Sequence, residues 1–389
     1  MILNSILDND FYKFTMQNAV VKLFPYAKAR YQFINRGKHE FPDGFSEVLQ
    51  EEVNQMIHLR LTASEKQFLQ NTCPYLDPTY IDFLSGFQYD PSEVSIVQNG
   101  SELVVTIEGS WYRTILWEVP IMALISELYY KQTGQDRLSD EKVVKTAKNK
   151  ILNYKELDLK IADFGTRRRH SLAVQKMVIK TLKENGKDTF MGTSNVSLAH
   201  EFNTKPIGTH AHEWFMFHAA RYGFKMSNAV ALENWVNVYR GDLGIALSDT
   251  YTSKVFFDSF DKKFSKLFDG VRHDSGDPIE FAKETIAHYQ SMNIDPLTKT
   301  IIFSDGLNPE KVSEISAFCK GKIGMSFGIG TNFTNDVGLK PMNIVLKMTE
   351  ALPEKGHWTG VVKLSDERGK YTGSPKMIDL AKQVLEIED

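Results

Sequence analysis

Between Lys160 and Asn332 the chain repeats one pattern: a short apolar run breaks into glycine with polar, charged or hydroxyl residues. The bursts are Asp163–His170 (DFGTRRRH), Gly192–Asn195 (GTSN), Gly208–Trp214 (GTHAHEW), Arg272–Asp277 (RHDSGD), Ser304–Gly306 (SDG) and Gly328–Asn332 (GIGTN). Short apolar runs closed this way read as buried strands ending near Phe164, Gly192, Gly208, Ser248, Val271, Ser304 and Phe327, with a further run at Asn343–Met348. Several gaps carry helical spacing. Ser171 to Asn185 is closed by Gly186, Pro278 opens a stretch to about Met292, and Pro309 opens one to about Cys319. Strands alternating with helices predict parallel βαβ units. About seven or eight such units fit a closed α/β barrel better than an open sheet, and a barrel gathers its strand-end loops at one mouth.

A chain of 389 residues exceeds one ordinary core, so a second, smaller domain is expected. Residues 1–135 supply it as mixed α and β. Ala27–Asn35 reads as a strand, Asn99-Gly100 as a tight hairpin turn, and Ile115–Tyr130 as a buried helix. The division expected is therefore an N-terminal α+β domain over 1–135, the barrel over 136–354, and a tail over 355–389 packing on the first domain and helical from Pro375.

The net charge of −3 offers no general attraction to nucleic acid. No apolar run reaches the ~20 residues of a membrane span, and the N-terminus lacks a basic leader. Cys73 and Cys319, the two cysteines, could pair, but two thiols in a chain this long more often stay reduced in a cytosol. A cytoplasmic protein with no nucleic-acid or membrane partner is the expectation.

The bursts carry the chemistry. Arg167, Arg168 and Arg169 at a strand end suit carboxylate or phosphate, and cations at a helix start oppose its dipole unless an anion is bound. His212 could act as a nucleophile, sit in a metal site with His210, or be structural. Arg272 and Asp274 could grip a ribose and a magnesium-bound phosphate, while Asp277 suits the cap of the helix at Pro278. Asp305-Gly306 could hold ribose hydroxyls or simply turn. Gly328, Gly330 and Thr331 could cradle a phosphate with backbone N–H groups and a hydroxyl. Neither Gly-x-x-x-x-Gly-Lys-Ser/Thr nor Gly-x-Gly-x-x-Gly occurs. The combination points to an enzyme acting on phosphorylated small molecules.

From Asn9-Asp10-Phe11-Tyr12-Lys13-Phe14-Thr15-Met16 to Thr331-Asn332 these motifs, in this order, resemble the nicotinate phosphoribosyltransferase family. The resemblance implies an irregular (β/α) barrel with an N-terminal α+β domain, working as a homodimer with shared active sites. It implies that nicotinate, 5-phosphoribosyl 1-diphosphate and ATP, with Mg2+, give nicotinate mononucleotide, diphosphate, ADP and phosphate in NAD salvage. Residue by residue, His212 matches the histidine transiently phosphorylated by ATP. Phe164 matches an aromatic stacked on the pyridine, and Tyr12 a second one supplied by the partner subunit. Arg167 and Arg272 match basic groups around the substrate carboxylate and phosphates. Asp274 and Asp305, followed by Gly306, match acids on the ribose or magnesium side, and Gly328, Gly330 and Thr331 the 5′-phosphate loop. Thr193 and Ser194 complete the substrate-binding set. The related nicotinamide enzyme has an acid at the Ser194 position, so a hydroxyl there favours the carboxylated base. His210 takes no role from the resemblance.

Overall fold

The computed structural model describes residues 1–354 and 356–387. The chain forms two compact units, each discontinuous in sequence: Met1–Gly208 with Ile329–Lys347, and Thr209–Gly328 with Met348–Asp389.

In the first unit, β1 (Lys28–Asn35) pairs antiparallel with β3 (Glu102–Ser110), which pairs antiparallel with β2 (Val94–Asn99). Asn99 faces Glu102 across the turn, and Gly100 takes φ +60°, the left-handed conformation that tight hairpin turns need. The helix Glu118–Thr133 buries most of its surface because it is apolar on nearly every face. β4 (Ile161–Asp163) and β5 (Phe190–Thr193) pair in parallel. The helix between them, Leu172–Gly186, starts where the Ser171 side chain accepts the Val174 N–H.

The second unit opens with a helical hairpin, His212–Tyr222 and Phe224–Tyr239, followed by β6 (Arg240–Leu243) and β7 (Ile245–Leu247). Next come β8 (Gly270–His273), the helix Pro278–Ser291, β9 (Thr300–Phe303), the helix Pro309–Cys319 and β10 (Gly324–Ile329). Strands β7 to β10 are parallel neighbours, with Gly270 aligned to Ile245 on one side and Thr300 on the other. The carboxyl ends of β7, β8 and β9 release Ser248, Asp274 and Ser304 at one edge. β11 (Ile344–Leu352) pairs antiparallel with β12 (Thr359–Gly360).

The α/β class holds, but the closed barrel does not. Six parallel strands run in the order β5-β4-β10-β9-β8-β7, with β5 and β7 at the ends. Two expected strands are missing from this sheet. Near Gly208 there is only a single bridge between Pro206 and Thr193, made by the Thr193 N–H to Lys205 O at 3.2 Å and the Ile207 N–H to Thr193 O at 2.9 Å. The Asn343–Met348 run instead lies largely within β11, in the five-strand order β12-β11-β1-β3-β2. Cys73 and Cys319 are buried free thiols. Among the described residues no helix is long and apolar enough to cross a membrane.

Candidate active site

In the second unit, three strand ends and a helix start converge on His212. Ala211 precedes the helix in extended backbone, and His212 is its first residue. The ring is nearly buried, and both nitrogens are engaged. Nδ1 lies 3.1 Å from Thr250 Oγ1, while Nε2 lies 3.0 Å from Asp274 Oδ2 and 3.7 Å from Asp249 Oδ1. Thr250 and Asp249 follow β7, and Asp274 follows β8.

Burial lowers the His212 pKa to about 4, helped by the Lys363 ammonium and opposed by Asp249 and Asp274. The ring is therefore neutral. Burial works against ionisation of Asp274, yet Arg272, His212 and Lys363 hold its carboxyl well below the usual carboxylate range. An ionised carboxylate can only accept, so the proton sits on Nε2 and the Nδ1 lone pair faces the Thr250 hydroxyl.

Arg272 Nη1 donates to the His210 carbonyl at 3.2 Å, and Nη2 stands 3.7 Å from Asp274. His210 thus acts on the site through its backbone. Its ring is fully buried edge-on against Phe215 and Trp235, and burial pushes its pKa well down. Ser304 Oγ lies 2.7 Å from the other Asp274 oxygen. Asp305 follows it, with both carboxylate oxygens 2.9 Å from Lys370 Nζ, and Gly306 turns the chain.

His212, Asp249 and Asp274 each offer a ligand atom, all within 4.8 Å of one another. Asp249 Oδ1 is buried without a hydrogen-bond partner. An orphaned carboxylate oxygen beside a second carboxylate suits a hard divalent cation such as Mg2+, which favours oxygen ligands and keeps several waters.

The first unit holds a second polar cluster. Ser194 donates to Asp10 Oδ1 at 2.6 Å, and both are buried. Arg167 Nε lies 3.7 Å from Asp10 Oδ2 and its Nη1 3.5 Å from Glu118, which also pairs with the buried Lys13 at 2.5 Å. The Arg167 guanidinium sits 5.9 Å from the Tyr12 ring of its own chain. Burial raises the Asp10 pKa against the pull of Arg167, whereas Lys13 and Arg167 keep the Glu118 carboxyl low despite its burial. Arg167 stays 41% exposed, the accessible cation of the set.

Thr193 acts on this cluster indirectly, by donating to Asp163 at 2.7 Å. Burial pushes the Asp163 pKa up to about 6, although Thr193, Gln175 and the Gly165 N–H all stabilise its charge. Phe164 follows Asp163, and its N–H donates to Ile329 O at 2.8 Å. Thr334 donates to Gly165 O at 2.8 Å, which ties the Phe164 loop to the turn carrying Gly330 and Thr331. Gly328 belongs to the second unit, two residues from Gly330 in the first.

Not every arginine of the triplet is a ligand group. Arg169 is fully buried, with Nη1 and Nη2 at 2.7 and 2.9 Å from the two oxygens of Asp8. It braces the loop rather than awaiting an anion. Five residues escaped the reading of the sequence: Glu118, Asp249, Thr250, Lys363 and Lys370. Asp249 follows a strand in a burst without glycine, so its signal was an acid directly after an apolar run. Lys363 and Lys370 lie in a polar segment with no local signal.

Two family models match this chain: the nicotinate phosphoribosyltransferase (NAPRTase) N-terminal domain over residues 7–126 and the NAPRTase family over residues 159–389. The chain belongs to the nicotinate phosphoribosyltransferase family. It is 66% identical to a nicotinate phosphoribosyltransferase of Chromohalobacter salexigens, with 99% of each chain covered. It is 49% identical to that of Desulforapulum autotrophicum, again with 99% of each covered. Its fold is similar to the crystal structure of nicotinate phosphoribosyltransferase from Porphyromonas gingivalis, with TM-score 0.97, 46% identity, and 99% of this chain and 100% of that one covered.

Proposed function

We propose that this protein joins nicotinate to the phosphoribosyl group of 5-phosphoribosyl 1-diphosphate, coupled to ATP through a phosphohistidine at His212, as the entry of nicotinate into NAD salvage. The observation that carries the coupling is the placement of His212. A buried neutral imidazole has its Nε2–H held by Asp274 and a lone pair left at Nδ1. The Nδ1 lone pair attacks the γ-phosphorus of ATP, a P–N bond forms as the P–O bond to ADP breaks, and Asp274 offsets the positive charge that develops on the ring. Arg272 is the nearby cation for the phosphate oxygens. Mg2+, held by Asp249 and Asp274, would supply charge neutralisation for the phosphates.

In the phosphoribosyl transfer, the pyridine nitrogen bonds to the anomeric carbon as the carbon–oxygen bond to diphosphate breaks. The first-unit cluster is read as the nicotinate side. Phe164 offers one aromatic face, a second comes from Tyr12 supplied by the partner subunit, and Arg167 offers its exposed fork to the carboxylate. Asp10 already occupies the Ser194 hydroxyl, so replacing Ser194 with an acid would set two carboxylates against each other. Asp305 is read as the ribose acid, and Gly328, Gly330 and Thr331 as the phosphate turn. The family expectation of a homodimer with shared sites belongs to the same proposal.

Incubation with γ-labelled ATP tests the coupling. The protein takes up label that is lost in acid and kept in base, and His212→Asn takes up none. Undiminished labelling of that variant contradicts the assignment.

A further inference from the structure

The mechanism above leaves unused the loop that follows β12. Lys363 and Thr372 exchange both backbone hydrogen bonds, N–H to O at 3.0 and 2.9 Å, and so close residues 364–371 into a loop. Its midpoint is pinned twice. The Asp366 carboxylate accepts the Ser253 N–H at 2.8 Å and the Ser253 hydroxyl at 2.6 Å. The Asp366 N–H donates to Ser275 Oγ at 3.2 Å, and the Ser275 hydroxyl donates to Asp249 Oδ2 at 2.6 Å. Gly276, at φ +81°, leaves room for this approach, since a Cβ there would lie 3.0 Å from that of Asp366.

Each end of the loop carries a lysine to an acid of the second-unit site. Lys370 reaches Asp305, and Lys363 Nζ lies 3.4 Å from Asp249 Oδ2. Lys363 is only 5% exposed. Its distance to Asp249 exceeds the 2.7–2.9 Å of a well-made charge-assisted bond, and a buried ammonium is costly unless its donors are used. Two ammonium groups thus stand beside Asp249 and Asp305, where they can donate to the oxygens of a polyphosphate.

We infer that Asp366 is a positioning residue for the phosphoribosyl donor: by anchoring the loop on Ser253 it sets Lys363 and Lys370 where a diphosphate-bearing substrate binds. This rests on reading the second-unit site as the donor's side.

The test is steady-state kinetics on the full-length protein carrying Asp366→Ala, Asp366→Asn, Ser253→Ala, or the double alanine substitution. Loss of bonds to a charged group predicts a KM for 5-phosphoribosyl 1-diphosphate raised about tenfold or more in Asp366→Ala. kcat falls less, and the KM for nicotinate stays within about twofold. Asp366→Asn restores most of the loss, because the amide can still accept the Ser253 N–H and donate to its hydroxyl. The double variant is no worse than Asp366→Ala alone. An unchanged donor KM in Asp366→Ala, equal rises in both KM values, or no rescue by asparagine overturns the inference. If Asp366→Ala does not fold, Lys370→Gln supplies the same readout, with a raised donor KM expected and an unchanged one contrary. Turnover by the wild-type protein is the separate test of the activity itself, so failure of that reading shows before any variant is compared.

Discussion

Replacing Asp274 with asparagine keeps the shape of the His212 partner and removes its charge. The contact at stake is the 3.0 Å pair between His212 Nε2 and Asp274 Oδ2. A hydrogen bond to a charged group is worth about 1.5–3 kcal/mol against about 1 for a neutral one, so the ground-state loss is about 1–2 kcal/mol. Attack on ATP leaves the ring positively charged, and at an effective dielectric of about 20 a carboxylate about 4 Å away stabilises that charge by about 4 kcal/mol. A loss of about 2–4 kcal/mol in the transition state slows phosphoryl transfer by about 30-fold to about 10³-fold. Rapid-quench labelling from γ-labelled ATP, in a single turnover, measures that step directly. Folding should survive, because Asp249 loses a like-charged neighbour. A labelling rate within about threefold of wild type, with a native melting profile, refutes the role given to Asp274.

Three further outcomes follow from the same geometry. Ser194→Asp places a second carboxylate against Asp10. Repulsion of about 3 kcal/mol on an incoming carboxylate at ~5 Å shifts the nicotinate-to-nicotinamide ratio of kcat/KM by about 10²-fold toward the amide, and an unaltered ratio in competition assays speaks against the first-unit cluster as the base site. Asp8→Ala strands the buried guanidinium of Arg169, at a cost of about 3–5 kcal/mol, so the melting temperature drops by several degrees, whereas a change under about one degree is contrary. Because the His212 pKa in the folded chain is about 4, below the ordinary value of 6.5, the nucleophilic neutral ring persists as pH falls from 8 to about 5. The labelling rate, corrected for ATP ionisation, should hold flat across that range and fall only toward pH 4, and an acid limb centred near 6.5 contradicts it.

What could be read in advance depended on whether a residue's partner lay close in sequence. Asn99-Gly100 announced its hairpin, and Asp277 announced the helix at Pro278, whose Ile279 and Glu280 N–H groups its side chain accepts. Both are contacts within a turn. His212, Asp274 and Arg272 were legible as residue types, and they cluster although His212 opens a helix rather than following a strand. The helical hairpin beginning at His212 was not read as such, because its first helix is buried over most of its length and shows no polar stripe to mark a period. The strand expected near Gly208 reduces to the single bridge between Pro206 and Thr193. Lys363 and Lys370 were invisible because their partners, Asp249 and Asp305, are 114 and 65 residues away by number. Only the pairing of the folded chain brings those charges together. Asp10 shows the same limit. It sat inside the quoted N-terminal motif, but its bond to Ser194 spans 184 residues.

The most direct test is the product itself. Purified protein incubated with nicotinate and 5-phosphoribosyl 1-diphosphate, with and without ATP, is resolved by mass spectrometry. The account predicts nicotinate mononucleotide and diphosphate, formed faster with ATP and accompanied by ADP, with the ATP effect abolished in His212→Asn. Absence of the mononucleotide under both conditions, or an ATP stimulation that survives loss of His212, contradicts it.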